Sequence, residues 1–97
     1  MCKAVNLRSS AYDIYIGRAG HGQHGTFGNP FIAGVHFTKR GDGVTLFAEW
    51  FKSDKGALMR ELVKQQIKPG DRLGCFCSPA SCHGDIIAAY VNNNYTL

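Results

Sequence analysis

The stretch Leu73-Gly74-Cys75-Phe76-Cys77-Ser78-Pro79-Ala80-Ser81-Cys82-His83-Gly84-Asp85 decides the fold. Arg72 to Phe76 is apolar with little alternation, the pattern of a central strand covered on both faces. A short Pro-containing loop follows. Cys82 or His83 then opens a helix that runs to about Val91, with Ile86, Ile87, Ala89 and Tyr90 available for packing and Asn92-Asn93-Asn94 ending it. A strand that runs through a tight loop into a helix is the repeating unit of an α/β domain.

The rest of the chain fits the same class. Lys3–Leu7 and Tyr12–Ile16 read as strands. Ala19 to Pro30 is an irregular Gly-rich loop holding His21 and His24, and Phe27 and Phe31 flank Gly28-Asn29-Pro30 and pin it to the core. Gly41-Asp42-Gly43 reads as a turn, and Val44–Phe51 as a short helix with Leu46, Phe47, Trp50 and Phe51 inward. Ser53 or Asp54 caps a second helix to Lys68, with Leu58, Leu62, Val63 and Ile67 as its apolar stripe. Pro69-Gly70-Asp71 stops it. The expectation is one α/β domain over residues 1–97, with a short, mostly parallel sheet flanked by helices in a Rossmann-like three-layer arrangement.

At 97 residues the chain is long enough for one core and one domain. Its formal charge of +4, from 11 Lys+Arg against 7 Asp+Glu, suits an anionic partner. The basic residues are scattered, with only Lys39-Arg40 adjacent, so polymeric nucleic acid is disfavoured. A small phosphorylated ligand needs only one or two arginines and a helix end. Met1-Cys2-Lys3 leads into a strand pattern rather than an apolar leader, and no run reaches membrane-spanning length. A cytoplasmic protein with reduced thiols is therefore expected.

Three kinds of chemistry compete at the Cys-rich stretch. Cys75 and Cys77 point to one face of the strand, and with Cys82 and His83 they supply a Cys3His set for Zn2+. Adjacent Cys and His seldom reach one metal, and Cys75 also suits the role of a small core residue. In a second reading, N–H groups of residues 83 to 86 at the helix start form an anion site for phosphate or carboxylate. Gly84 would let the ligand approach, and the dipole would favour thiolate at Cys82 or Cys77. Asp85 complements the dipole in any case, or holds His83 or a sugar hydroxyl. A third reading makes Cys82 or Cys77 a nucleophile with His83, His21 or His24 as base.

Other residues have plainer roles. Trp50 and the phenylalanines read as core, Cys2 as a bystander near the terminus and His36 as a surface residue. Arg8 and Arg18 each follow a strand, where ligand sites form in α/β folds, although Arg18 could equally pair with Asp13 or Asp85.

Asn6-Leu7-Arg8, Tyr15-Ile16-Gly17-Arg18, Gly28-Asn29-Pro30-Phe31, Trp50 and Gly74-Cys75-Phe76-Cys77 through Pro79 to Cys82-His83-Gly84-Asp85 resemble, in order and spacing, one small family. It occurs in bacteria, archaea and phages and is catalogued as a domain of unknown function. Its motifs read N-x-R, Y-I-G-R, W-G-N-P-F and C-W-C-x-P-x-x-C-H-G-D. Phe27 and Phe76 stand where the family usually has Trp, and the histidines between Gly20 and Gly25 lie outside the pattern. The resemblance implies that Arg8, Arg18, Asn29, Cys77, Cys82, His83 and Asp85 belong to one site, and it implies a phage or prokaryotic setting. The expected function is binding of a nucleotide-like phosphorylated small molecule, to sequester or process it. Its phosphate would lie at the last helix, neutralised by Arg8 and Arg18, with the Gly25–Phe31 loop over a base or ribose. A structural zinc domain and a cysteine-dependent enzyme are the alternatives, and a homodimer is compatible with so small a domain.

Overall fold

The apolar run around Leu73 becomes the middle of the sheet. The computed structural model describes residues 1–20, 22–77 and 80–97, Arg40 through its backbone alone. Strands β1 (Lys3–Asn6), β2 (Ile14–Tyr15) and β3 (Arg72–Cys75) pair in the order β1-β3-β2, and both pairings are parallel. Ala4 lies opposite Leu73 and Asn6 opposite Cys75, while Ile14 lies opposite Leu73 from the other side. Leu73 and Cys75 are buried on the face that carries the core.

The helices are α1 (Arg40–Lys52), α2 (Ala57–Gln66) and α3 (His83–Asn92), with a 3-10 turn at Asp54–Gly56 between the first two. The element order and the α/β class are those expected. Among the described residues, α3 is the helix that lies directly on the strands, and α1 and α2 pack against it. Gly84 permits this close seat: a Cβ there would stand 2.4 Å from Ile16 Cδ1 and 3.1 Å from Ala4 Cβ. Among the described residues no helix lies on the opposite face. The link from β1 to β2 crosses over β3 there and lays the Tyr12 ring on Gly74, where a Cβ would meet Tyr12 Cγ at 2.6 Å. The expected flanking by helices is thus one-sided, because the first crossover is too short to hold one.

Other departures have local causes. Gly41-Asp42-Gly43 is the first turn of α1 rather than a separate turn. Turn and helix share a backbone conformation there, Asp42 suits the positive end of the helix, and Gly43 makes room for the Phe37 ring. The second helix is interrupted at Gly56, which packs on the backbone of Trp50 and Phe51. Arg60 donates to the carbonyls of Phe51 and Ser53 and so satisfies the last turn of α1. This interruption turns the stripe of α2 by one position. Met59, Val63 and Ile67 are buried, Leu62 is half-buried, and Leu58, expected inside, is 72% exposed.

One core joins these elements. Phe47 and Phe51 of α1 stack with centroids 5.5 Å apart, and Phe51 meets the Tyr90 ring of α3 edge-on at 5.2 Å. Cys2 belongs to this core, and its backbone N–H and C=O are clamped by the Asn92 amide at 2.9 and 2.8 Å. Among the described residues no helix is long and apolar enough to cross a membrane.

Candidate functional site

The junction from β3 to α3 is closed by the chain itself. Cys82 is the N-cap of α3, in extended conformation. Its sulfur accepts the Gly84 N–H at 3.4 Å, its carbonyl accepts the Asp85 N–H at 2.9 Å, and its own N–H donates to Asp85 Oδ2 at 3.1 Å. This reciprocal cap satisfies donors that an anion was expected to take, and it sets a carboxylate beside them. Gly84 and Asp85 thus have packing and capping roles within the chain itself. The residue types are shared: small and acidic residues at a helix start suit a cap as well as a phosphate site.

His83 is the hub of the junction. It is buried, and its Nε2 lies 2.8 Å from the Ile16 carbonyl and 3.0 Å from the Phe27 carbonyl. Both partners accept only, so Nε2 carries the proton and donates. The ring ties the start of α3 to the end of β2 and to the Gly28-Asn29-Pro30 loop, and the Phe47 ring meets it at 5.2 Å. Burial pushes its pKa below the ordinary histidine value, against a smaller opposing effect of the two carbonyls. The neutral ring leaves the Nδ1 lone pair 3.7 Å from Cys82 Sγ.

Cys82 Sγ lies 3.1 Å from Cys75 Sγ, and both residues are buried. The contact with Cys75 and then burial raise the Cys82 thiol far above the ordinary range. Cys82 therefore rests as a thiol, and to act as the expected nucleophile it must first pass its proton to a neighbouring base. The Zn2+ alternative fits poorly. Two thiolates on tetrahedral zinc stand about 3.8 Å apart, given Zn–S bonds of about 2.3 Å. His83 has also committed Nε2 to carbonyls. Among the described residues no three His, Cys, Asp or Glu side chains stand together as a metal site.

Beside this junction opens a cavity of about 870 Å3. Cys75, Cys77, Cys82 and His83 form part of its wall, Arg18 and Asn29 another, and Tyr12, Phe31 and Phe76 supply aromatic faces. Each polar group has a fixed setting. Arg18 is exposed and donates through Nη2 to the Phe31 carbonyl at 3.1 Å. Asn29 Nδ2 donates to the Gly43 carbonyl at 3.1 Å, and its Oδ1 accepts the Phe31 N–H at 2.9 Å, so it fastens the loop to the start of α1. Arg8 does not line the cavity; its guanidinium stands 5.3 Å from the centroid of the Phe76 ring, which does. Cys77 is half-buried on the wall.

Arg18, Asn29, Cys77, Cys82 and His83 thus share one cavity, with Arg8 on its border, while Gly84 and Asp85 do not line it. His24 is exposed and away from the lining. His21, Ser78 and Pro79 lie outside the described residues. Asp13, considered as a partner for Arg18, instead takes the Arg72 guanidinium at 3.1 and 3.2 Å. Tyr12, Tyr15 and Phe37 are wall residues that sequence reasoning missed. Their aromatic character was visible, but their place on the wall depends on the strand order.

Comparison with known proteins adds a family but no activity. No solved structure matches the chain. An uncharacterized 12.4 kDa protein from the nrdA-td intergenic region of Enterobacteria phage T4 is 36% identical over 94 residues, which cover 95% of this chain and 79% of that protein. The model of a domain of unknown function, DUF4326, matches residues 2–93. The chain therefore belongs to the DUF4326 family, a domain of unknown function.

Proposed function

We propose that the cavity binds a nucleotide-like phosphorylated small molecule, to sequester or process it in a phage-infected host cell. One observation carries this reading: a cavity of about 870 Å3 combines aromatic walls with the exposed Arg18 in its lining, and the exposed Arg8 lies against Phe76, one of those walls. That volume is within the usual range for small-molecule sites, about 300–1,000 Å3. A planar base stacks on Phe76 or Tyr12, since every base presents a π face. The phosphate is met by Arg8 and Arg18 rather than by the capped end of α3. Arg18 keeps further N–H donors beyond the one given to Phe31, and guanidinium matches phosphate geometry. The phage relative supports the setting in an infected cell.

A native mass spectrum of freshly purified protein, beside titrations with ribonucleoside phosphates, tests the reading. At least one such compound should bind. Arg18→Ala should weaken it roughly 10- to 150-fold, the equivalent of one charged hydrogen bond of about 1.5–3 kcal/mol. The melting temperature should stay nearly unchanged. Bare chain mass together with no binding at millimolar nucleotide would sink the proposal. The same spectrum reads whether the chain pairs as a homodimer.

A further inference from the structure

Cys75 and Cys82 make a contact that nucleotide binding does not use. Their sulfurs are 3.1 Å apart, closer than unbonded sulfur atoms ordinarily rest. A disulfide bond is about 2.05 Å long, so an approach of roughly 1 Å would close one. The backbone favours such a closure. Cys75 is the last residue of β3 and Cys82 is the N-cap of α3, so the two sulfurs meet where the strand ends and the helix begins, and closing the bond needs only a small shift of these two ends. Both residues are nearly without solvent exposure, at 2% and 1%, yet both line the cavity. A small reagent therefore reaches them through the cavity and not across the outer surface.

A proton acceptor is in place as well. His83 Nδ1 stands 3.7 Å from Cys82 Sγ, and the two carbonyls on its Nε2–H support the cation formed when Nδ1 takes a proton, in part offsetting the burial that disfavours it.

We propose that Cys75 and Cys82 are a dithiol site, oxidised to an internal disulfide by a low-molecular-weight disulfide that enters the cavity. The Cys75 sulfur, losing its proton to solvent, attacks one sulfur of the reagent. The reagent's S–S bond breaks, and one small thiol leaves with that proton. Cys82 then gives its proton to His83 Nδ1 and attacks the Cys75 sulfur of the mixed disulfide. The second small thiol leaves as thiolate and takes up the proton. Two protein thiols are oxidised by two electrons, and one small disulfide is reduced to two thiols. The reduced dithiol is the resting form in a reducing compartment. Cys77, half-buried on the same wall, is the competing target.

The test incubates the native protein with excess oxidised glutathione at neutral pH, then traps remaining thiols by alkylation. Intact mass and a chymotryptic map are read. Chymotrypsin cuts after Phe76, so Cys75 and Cys82 leave on separate peptides unless a disulfide joins them. The expected product is lighter by two hydrogen atoms and carries the Cys75–Cys82 link. Cys77→Ser should form it at a comparable rate, and Cys82→Ser should not form it. A stable glutathione adduct on Cys77 with Cys75 and Cys82 still alkylated would overturn the proposal. So would a cross-link lost in Cys77→Ser. Should Cys82→Ser fail to fold, the wild-type and Cys77→Ser maps decide alone.

Discussion

The junction at Cys82–Asp85 and the arginine border of the cavity are neighbours built on opposite plans. At the junction, polar groups find partners inside the chain: His83 on two carbonyls, the Gly84 N–H on Cys82, the Cys82 N–H on Asp85. At the border, the Arg8 guanidinium lies over Phe76, that of Arg18 donates to the Phe31 carbonyl, and both residues remain exposed. A self-satisfied cluster holds the fold, because a buried polar group without a partner is costly. Exposed cations over a concave aromatic surface add little to stability and stand ready for an anion. Changes at the junction should therefore melt the protein, and changes at the border should spare the fold and lower affinity.

His83→Ala should break the comparison most forcefully. It leaves the Ile16 and Phe27 carbonyls without their buried donor and removes a ring packed on Phe47. The expected loss is about 3–4 kcal/mol, read by denaturant unfolding. His83→Gln restores an amide donor near the position of Nε2 and should recover part of it. The pH dependence separates donor from ring. The folded-state pKa of His83 is depressed by burial, so the unfolded chain takes a proton first as pH falls. Stability from this group is present above the unfolded value of about 6.5 and is lost as pH falls from there through the folded pKa. His83→Gln should flatten that part of the profile relative to wild type. An unchanged slope would mean that His83 is not the group responsible.

Gly74→Ala probes the sheet face that faces away from α3. Its Cβ would drive into Tyr12, with Cγ at 2.6 Å and Cβ at 3.1 Å, so the whole side chain must shift. About 1–3 kcal/mol should be lost, as is usual for overpacking. Tyr12 is also a cavity wall, so nucleotide affinity should fall together with stability. Loss of stability with full affinity would detach Tyr12 from the ligand.

Asp85→Ala should cost about 1 kcal/mol, the worth of a lost helix cap, with affinity intact. Weakened binding at unchanged stability would return Asp85 to the ligand.

What was legible in the sequence follows from how local each signal is. The central strand showed in the unbroken apolar run at Leu73, and the start of α3 in the change of pattern at Cys82. Phe27 was rightly placed in the core from its position beside Gly28-Asn29-Pro30. The position of Tyr12 on Gly74 was not legible, since it requires knowing that the link between β1 and β2 passes over β3. The exposure of Leu58 was hidden for a similar reason: packing of Gly56 on α1 sets the rotation of α2. At the site, Arg18, Asn29 and Cys77 were named and do line one cavity. The roles of His83, Gly84 and Asp85 were harder to read, because the groups that cradle an anion also cap a helix. Burial and hydrogen-bond partners decide between those roles, and neither is written in residue order.

Arg8→Ala should have the smallest effect on the fold and so is the sharpest probe of the border. The contact it loses is one guanidinium over the Phe76 ring, at 5.3 Å and exposed. Such contacts contribute about 0.5–1 kcal/mol, so the melting temperature should fall by only a few degrees. Affinity for a phosphorylated ligand should drop, and added salt should weaken binding less in this variant than in wild type, because one cation fewer is screened. A nucleoside without phosphate should bind wild type and variant alike. If Arg8→Ala weakens the nucleoside as much as the nucleotide, Arg8 acts by propping Phe76 and the phosphate belongs to Arg18 alone.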